Sequence, residues 1–281
     1  MTGAPVASVV IPTFNRPDML GDCLRRVAQA LAVVPESRIE VIVSDDGRDL
    51  RTRDLLVSTY PWVHWVQGPR RGPAANRNAG AAVATGEWII FTDDDCLPDS
   101  LWLRAYLHAL RQDSSCNVFE GRTIADREPR SLNEESPVND TGGYLWSCNM
   151  AIRRELFTRM GGFCESFPYA AMEDADLRLR LQRQAERFPF LPDAVVCHPL
   201  RPRKGLRFAI NAGRSYLHLV ERHPTLLGTR PWLTCVLSCA RRFQQLARDG
   251  VRCRGRGLTQ ALVRVAIAMY FEASATARVA R

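Results

Sequence analysis

No stretch of this 281-residue chain approaches the roughly 18 consecutive apolar residues that a membrane-crossing helix requires, which argues against an integral membrane protein. The opening Met1-Thr-Gly-Ala-Pro5 lacks the basic start of an export signal and runs straight into an apolar segment. The nine cysteines, at 23, 96, 116, 148, 164, 197, 235, 239 and 253, form no Cys-x-x-Cys pair, so no zinc site is expected. Their odd number and the missing signal point to reduced thiols in a cytoplasm. Lysine is almost absent: of 38 basic residues only Lys204 is one. Internal repeats and low-complexity tracts are missing too. What remains is an ordinary globular composition, 46% hydrophobic and 24% charged, long enough for one large domain or a domain with an appendage.

Charge is divided unevenly. Residues 1–199 hold 22 Lys+Arg against 27 Asp+Glu, a net −5, whereas residues 200–281 hold 16 against 3, a net +13. An acidic body with a basic tail expects an anionic partner at the tail. An anionic membrane surface fits; a dimer interface or a plain solvated face would account for the same pattern. Nucleic acid is disfavoured, because the body is acidic and no basic motif is interleaved with aromatics.

The first hundred residues alternate. Apolar, strand-like runs at Ala7–Ile11, Ile39–Val43, Val63–Gln67 and Trp88–Thr92 are separated by helical patterns over about 18–34, 51–60 and 74–84. Continuous apolar strands with helical crossovers predict an α/β fold with a parallel sheet covered on both faces. Such sheets bind ligands beyond the carboxyl ends of their strands. The polar clusters lie there: Thr13-Phe-Asn15-Arg16, Asp45-Asp46 and Asp93-Asp94-Asp95. Three adjacent carboxylates repel one another and bring no folding advantage. As a lone motif they could be a solvated turn; at a strand end they suit a hard divalent cation serving a phosphate-bearing ligand.

The rest of the body is less regular. Residues 125–143 read as a long polar loop, Tyr144–Ile152 as a strand, 153–160 as a short helix closed by Gly161-Gly162, about 171–187 as a helix, and 188–196 as a strand that stops at Cys197-His198. Beyond 200 the pattern predicts helices over about 205–222, 232–248 and 257–280.

Taken in order, Val10-Ile-Pro-Thr-Phe-Asn-Arg16, Val43-Ser-Asp-Asp-Gly47, Gly72-Pro-Ala-Ala-Asn-Arg77-Asn-Ala-Gly80, the Trp88–Pro98 run with its Asp triplet, Gly161-Gly-Phe163 and Glu173-Asp-Ala-Asp-Leu177 resemble the family 2 glycosyltransferases. The resemblance covers about residues 7–198. It implies the GT-A fold, a Rossmann-like, mostly parallel sheet flanked by helices, over 1–200. About 1–100 would be the nucleotide-binding half and 101–200 the acceptor-binding half, with 201–281 a basic helical C-terminal region.

The same resemblance implies roles. Pro12, Thr13 and Asn15 wall the nucleotide pocket. Asp46, with Asp45, accepts a hydrogen bond from the donor's base, with a UDP-sugar the leading donor; a strand-end Asx turn is the competing account of Asp45. Arg77 faces the diphosphate. Asp95 binds the divalent metal, Mn²⁺ or Mg²⁺; Asp93 contacts the ribose or the metal's water shell; His198 is a further metal ligand. Asp94 sits in the donor site as a supporting residue, and it is the member of the triplet expected to tolerate substitution best. Asp174 is the general base, with Glu173 and Asp176 supporting, and Trp146 and Tyr144 stack on a sugar or acceptor ring. One base opposite the leaving group implies inversion.

The Gln-x-x-Arg-Trp segment of processive synthases is missing, so the transfer of a single sugar is expected. The acceptor would be a hydroxyl on a small molecule, a lipid-linked saccharide or a glycan. The expected place is the cytoplasm, with peripheral contact to the inner membrane face as an option. Two alternatives compete: a sugar-phosphate nucleotidyltransferase, disfavoured because Pro-Thr-Phe-Asn-Arg replaces a Gly-rich loop after the first strand, and an inactive nucleotide-sugar-binding protein.

Overall fold

The computed structural model describes residues 4–279. Residues 1–3 and 280–281, and with them the last position of the helix expected to reach 280, lie outside the described residues. The chain forms two compact units. One takes the residues up to Asp126 together with Pro137–Glu165 and Glu173–Pro199; the other takes Arg127–Ser136, Ser166–Met172 and the residues from Leu200 on.

The first unit is built around an eight-stranded sheet. In chain order its elements are β1 (Ala7–Thr13), α1 (Pro17–Ala32), β2 (Ile39–Asp45), α2 (Arg51–Thr59), β3 (Val63–Gln67), α3 (Pro73–Val83), β4 (Trp88–Thr92), β5 (Leu97–Pro98), α4 (Trp102–Gln112) and β6 (Val118–Ile124). The strand order is β3-β2-β1-β4-β8-β6-β9-β5, where β7 (Glu134–Glu135) belongs to the other unit, β8 is Asn149–Arg153, and β9 is Phe190–Cys197. Between β8 and β9 come α5 (Arg154–Arg159) and α6 (Glu173–Arg183).

The four strands expected from the first hundred residues are parallel neighbours. Their inward residues, among them Val9, Ile11, Val41, Val43 and Ile90, pack with Leu20, Leu24 and Val27 of α1 in one core. The opposite face buries Val10, Ile42, Ile89 and Phe91 with α3 and α6 residues such as Ala81 and Leu177. Burial on both faces is why these strands read as unbroken apolar runs.

The second half of the sheet is mixed. β8 is antiparallel to both β4 and β6, and β6 is parallel to β9. The strand expected over 144–152 begins only at Asn149, because 144–148 is held by side chains rather than by a ladder. The helix expected to reach about 187 ends at Arg183, where Ala185 turns left-handed (φ 57°) and the Glu186 amide bonds back to the Leu181 carbonyl. Elements α4, β5 and β6 were not among those expected, although α4 buries Trp102, Leu103, Tyr106, Leu107 and Leu110 at helical spacing.

Asn149 ties this half together. Its Oδ1 accepts from Trp102 Nε1 and from the Tyr106 hydroxyl, each at 2.9 Å, and its Nδ2 donates to the carbonyls of Arg122 and Ala194. Gly121 leaves the room: a Cβ there would stand 2.4 Å from Asn149 Nδ2.

In the second unit β7 pairs antiparallel with β10 (Arg201–Pro202). Three helices follow: α7 (Leu206–Arg222), α8 (Pro231–Arg252) and α9 (Leu258–Val279), with a 3₁₀ turn at Pro224–Leu227. α7 and α9 approach closely at Gly213, where a Cβ would lie 2.1 Å from the Phe271 ring. The division expected at residue 200 does not place 127–136 and 166–172 with the helices. They join them through the β7–β10 pairing and through Tyr169, whose carbonyl accepts from Ser215 and whose hydroxyl accepts from Arg214. Among the described residues no helix is long and apolar enough to cross a membrane.

Asn149→Ala should lower unfolding stability by roughly 3 kcal/mol in a denaturant titration, because the buried Trp102 and Tyr106 donors lose their acceptor.

Candidate active site

The polar segments identified from the sequence meet at the carboxyl ends of β1, β2 and β4. Asn76 of α3 draws the first two strand ends together. Its Nδ2 donates to the Thr13 carbonyl (3.1 Å) and the Ser44 carbonyl (2.9 Å), and its Oδ1 accepts from the Ser44 hydroxyl (2.6 Å). Gly80, one helical turn on, lets α3 lie close to the sheet, since a Cβ there would reach within 2.7 Å of Val10. The glycine and asparagine of the Gly72–Gly80 motif thus serve one end: they set Arg77 at the sheet edge.

Arg77 is only 6% exposed. Its Nη2 donates to Asp93 Oδ1 at 2.7 Å, Nη1 stands 3.5 Å from Glu173 Oε1, and its guanidinium lies over the Phe163 ring at 5.7 Å. That ring is held by Asn78, whose side chain bonds both the amide and the carbonyl of Phe163, so the Gly-Gly-Phe motif forms a floor under the arginine. The carboxylates Asp93, Asp174 and Glu173 outweigh burial and keep Arg77 firmly protonated. Its Nε and Nη1 are buried with no hydrogen-bond acceptor. Two unused donors on a fixed cation suit a phosphate oxygen.

Asp174 opens α6. Burial pushes its carboxyl up to about 7; Arg77 pulls it down, while Glu173 and Asp93 raise it further. The nearby Ser147 hydroxyl also pulls it down, and its Oδ1 is buried without a hydrogen-bond partner. The neighbouring loop is organised by Glu120, which is fully buried and was not identified from the sequence. Glu120 accepts from the amides of Gly143 (2.6 Å), Tyr144 (2.8 Å) and Leu145, and from Asn139 Nδ2 (2.7 Å). This anchor presents Tyr144 and Trp146 as a tilted pair, with ring centroids 4.7 Å apart, planes at 33° and Tyr144 48% exposed. Arg178 of α6 donates to the Gly143 carbonyl and links the helix that carries Asp174 to the loop.

The Asp triplet divides. Asp93 faces Arg77. Asp95 lies between Arg16, whose Nη1 donates to Oδ2 at 2.9 Å, and His198, whose Nε2 is 3.4 Å from Oδ1. The strand β9 does return His198 to this edge. A carboxylate and an imidazole this close are a usable pair of metal ligands. Cys96 Sγ lies in the same cluster, but burial raises its pKa well above that of an ordinary thiol, which disfavours the thiolate that a metal needs. The residues therefore fit a divalent cation, held by Asp95 and His198 with Asp93 nearby.

Asp94 departs from expectation. It is fully buried and faces inward: Oδ2 accepts from Thr13 Oγ1 at 2.7 Å, and Oδ1 pairs with Arg16 Nη2 at 2.6 Å. It locks β4 to the end of β1 and has no surface to offer a donor. Its carboxyl is pushed up to about 7 by burial, against the pull of Arg16. Arg16 had no role assigned from sequence; bridging Asp94 and Asp95, it is the counter-ion that makes the triplet tolerable.

At the end of β2, Asp45 is engaged internally, with its Oδ1 accepting from the Gly47 amide at 2.7 Å in an Asx turn. Asp46 is 6% exposed, and its Oδ1 accepts from the Arg70 amide at 2.8 Å. Burial raises its pKa, although the Arg70 and Gly72 amides oppose this. Gly68 allows the approach, because a Cβ would overlap Asp46 Oδ1 at 2.2 Å. Pro12 and Thr13 are buried at the end of β1, and Asn15 is exposed with φ 54°, its Oδ1 beside Gly47.

Asp94→Ala should cost about 2 kcal/mol of stability and lower the melting temperature, since Thr13 and Arg16 lose their buried partner. Asp95→Asn should leave the melting temperature of the metal-free protein nearly unchanged. That order is the reverse of what the triplet suggests as sequence.

A model of glycosyl transferase family 2 matches residues 8–164. Among curated relatives, glycosyltransferase AglE of Haloferax volcanii is 24% identical over 236 residues, 78% of this chain and 76% of that one. The pre-mycofactocin glycosyltransferase of Mycobacterium tuberculosis is 30% identical over 236 residues, 77% of this chain but only 48% of its own length. Of solved structures, the mannosyltransferase PcManGT of Pyrobaculum calidifontis, in complex with GDP-Man and Mn²⁺, matches with a TM-score of 0.63 at 18% identity, over 99% of this chain and 87% of that one. Staphylococcus aureus TarS 1–349, in complex with UDP-GlcNAc, matches with a TM-score of 0.57 at 19% identity, over 76% and 65%. The sheet order, the helical cover and these structural neighbours make the fold GT-A. With its motifs assembled at one edge of that sheet, the chain belongs to the family 2 glycosyltransferases.

Proposed function

We propose that the enzyme moves a single sugar, with inversion, from a nucleoside-diphosphate sugar to an acceptor hydroxyl. The observation that carries this reading is the pairing of Arg77 and Asp174. A buried cation with two unused donors stands beside a carboxyl tuned to about 7, the one suited to a leaving diphosphate and the other to an incoming hydroxyl. The GDP-Man and UDP-GlcNAc of the structural neighbours support the donor class.

In the reaction, the acceptor oxygen attacks the anomeric carbon while Asp174 takes its proton. The new C–O bond forms as the bond from the anomeric carbon to the phosphate oxygen breaks. The nucleoside diphosphate leaves with the electron pair, on the face opposite the attack. Arg77 holds the diphosphate and so favours the departing charge. Asp46, Pro12, Thr13 and Asn15 line the nucleotide end, and the Tyr144–Trp146 pair provides an apolar platform for a sugar ring. Asp95 and His198 would hold Mn²⁺ or Mg²⁺, which as a Lewis acid neutralises diphosphate charge. Among donors, UDP-sugars come first, with GDP-sugars as the second class to be tried.

Three measurements test this. UDP or GDP with Mn²⁺ should raise the melting temperature together, because a ligand that binds only the native state stabilises it; no shift with any nucleoside diphosphate ends the donor-site reading. Asp174→Asn should keep that shift yet lose transfer by a factor of about 10³ or more; retained turnover removes Asp174 as base. The base works deprotonated, so kcat/KM should rise about tenfold per pH unit below pH 7 and level off above it.

A further inference from the structure

The second unit carries a surface that the transfer reaction does not use. Helix α8 runs for 22 residues without one buried residue. One face packs on α9, where Glu272 accepts from Ser238 Oγ (2.7 Å) and Arg242 Nη2 (2.6 Å). The face beyond it is apolar: Trp232, Val236, Phe243, Ala247 and Val251 recur at helical spacing and are all exposed, Val251 by 83%. The stripe continues across the turn into α9. Phe243, Leu246, Ala247, Val251 and Leu258 surround one shallow hollow, and Leu262 and Val263 stand exposed beyond Leu258. A contiguous exposed apolar surface on two helices marks an interaction site.

The charges beside it indicate the partner. Arg241, Arg248 and Arg252 form a row about a third of a turn round α8 from the stripe, all exposed. At the turn between α8 and α9, a second hollow of about 360 Å³ is lined by Arg127, Arg130, Arg252, Arg254 and Arg256, with Glu128 the one acidic side chain. Arg127 and Arg252 are held by carboxylates, at Glu134, Glu128 and Asp249. Arg130, Arg254 and Arg256 pair with no carboxylate among the described residues, although the fold exposes them side by side. An apolar stripe edged by arginines is the pattern of a helix lying in the plane of an anionic bilayer: aromatic and aliphatic side chains enter the acyl boundary while guanidinium groups hold lipid phosphates. A second copy of the chain would set the same positive surface against itself. The segment 200–281 holds 16 basic and 3 acidic residues, so that contact is opposed by repulsion.

We propose that the α8–α9 face is a docking surface for an anionic phospholipid bilayer, with Phe243, Val251 and Leu258 inserting and Arg130, Arg254 and Arg256 binding lipid phosphates. The proposal is independent of the donor site. It is tested by co-sedimenting the intact chain with vesicles of phosphatidylcholine alone and of phosphatidylcholine mixed with phosphatidylglycerol. The chain should pellet with the mixed vesicles and stay in solution with the neutral ones. The triple variant Arg130→Ala, Arg254→Ala, Arg256→Ala should weaken partitioning roughly a hundredfold at low salt, because each basic side chain near an anionic leaflet is worth about a factor of five. Val251→Asp, at a position already in solvent, should reduce it without changing the melting temperature. Absence of binding to the mixed vesicles, or binding that survives both variants, overturns the proposal. So does light scattering that finds a lipid-free dimer which Val251→Asp splits into monomers, since the face would then belong to a second copy.

Discussion

The buried guanidinium of Arg77 is the constraint around which the candidate site is arranged. A cation taken out of water must be compensated by nearby carboxylates, and here they come from two directions: Asp93 from the end of β4, and Glu173 with Asp174 from the start of α6. One charge therefore couples the candidate nucleotide end of the sheet to the helix that carries Asp174. The supports of Arg77 explain motifs that are otherwise only patterns. Asn76 pins its helix to β1 and β2, Gly80 lets the helix settle, and Phe163 lies beneath the planar group.

A second cation does similar work on the other side of β4. Arg16 bridges Asp94 and Asp95 and relieves the repulsion within the triplet. Three neighbouring carboxylates are then not equivalent. The turn that follows β4, closed by the Cys96 amide on the Asp93 carbonyl, sends Asp94 into the core side of the edge and leaves Asp93 and Asp95 toward the open side, each with its own partner. Arg77 receives one and His198 approaches the other, so the candidate diphosphate site and the candidate metal ligands lie next to each other.

Much of the first unit was legible because its strands are buried on both faces. The apolar runs at β1 to β4 and the alternating helices have a period that needs no tertiary knowledge, and β3 and β4 span the residues that the pattern marks. Legibility fell where structure depends on side chains distant in sequence. The stretch 144–148 resembles a strand by composition, but the Glu120 carboxylate gathers its amides and holds it as a loop. The segments 127–136 and 166–172 lie between elements of the first unit in sequence and are packed with the second, through a two-residue strand pairing and one tyrosine. A bridge so short has no periodicity to detect.

For the site, the sequence alone determined which chemical groups are present and at which strand ends they fall, because strand periodicity and loop position are local properties. It also determined the charge contrast between body and tail. Only the tertiary structure decided what each group does. It buried Asp94 and left Asp95 partly open, brought His198 back over 100 residues to within 3.4 Å of Asp95, gave Arg16 and Glu120 their roles, and raised Asp174 toward neutrality. It also left one face of α8 uncovered where amphipathic spacing alone would have allowed burial. The reason is common to all of these: pKa, burial and partner choice depend on distances through space, and those distances are set by packing between segments that the sequence holds far apart.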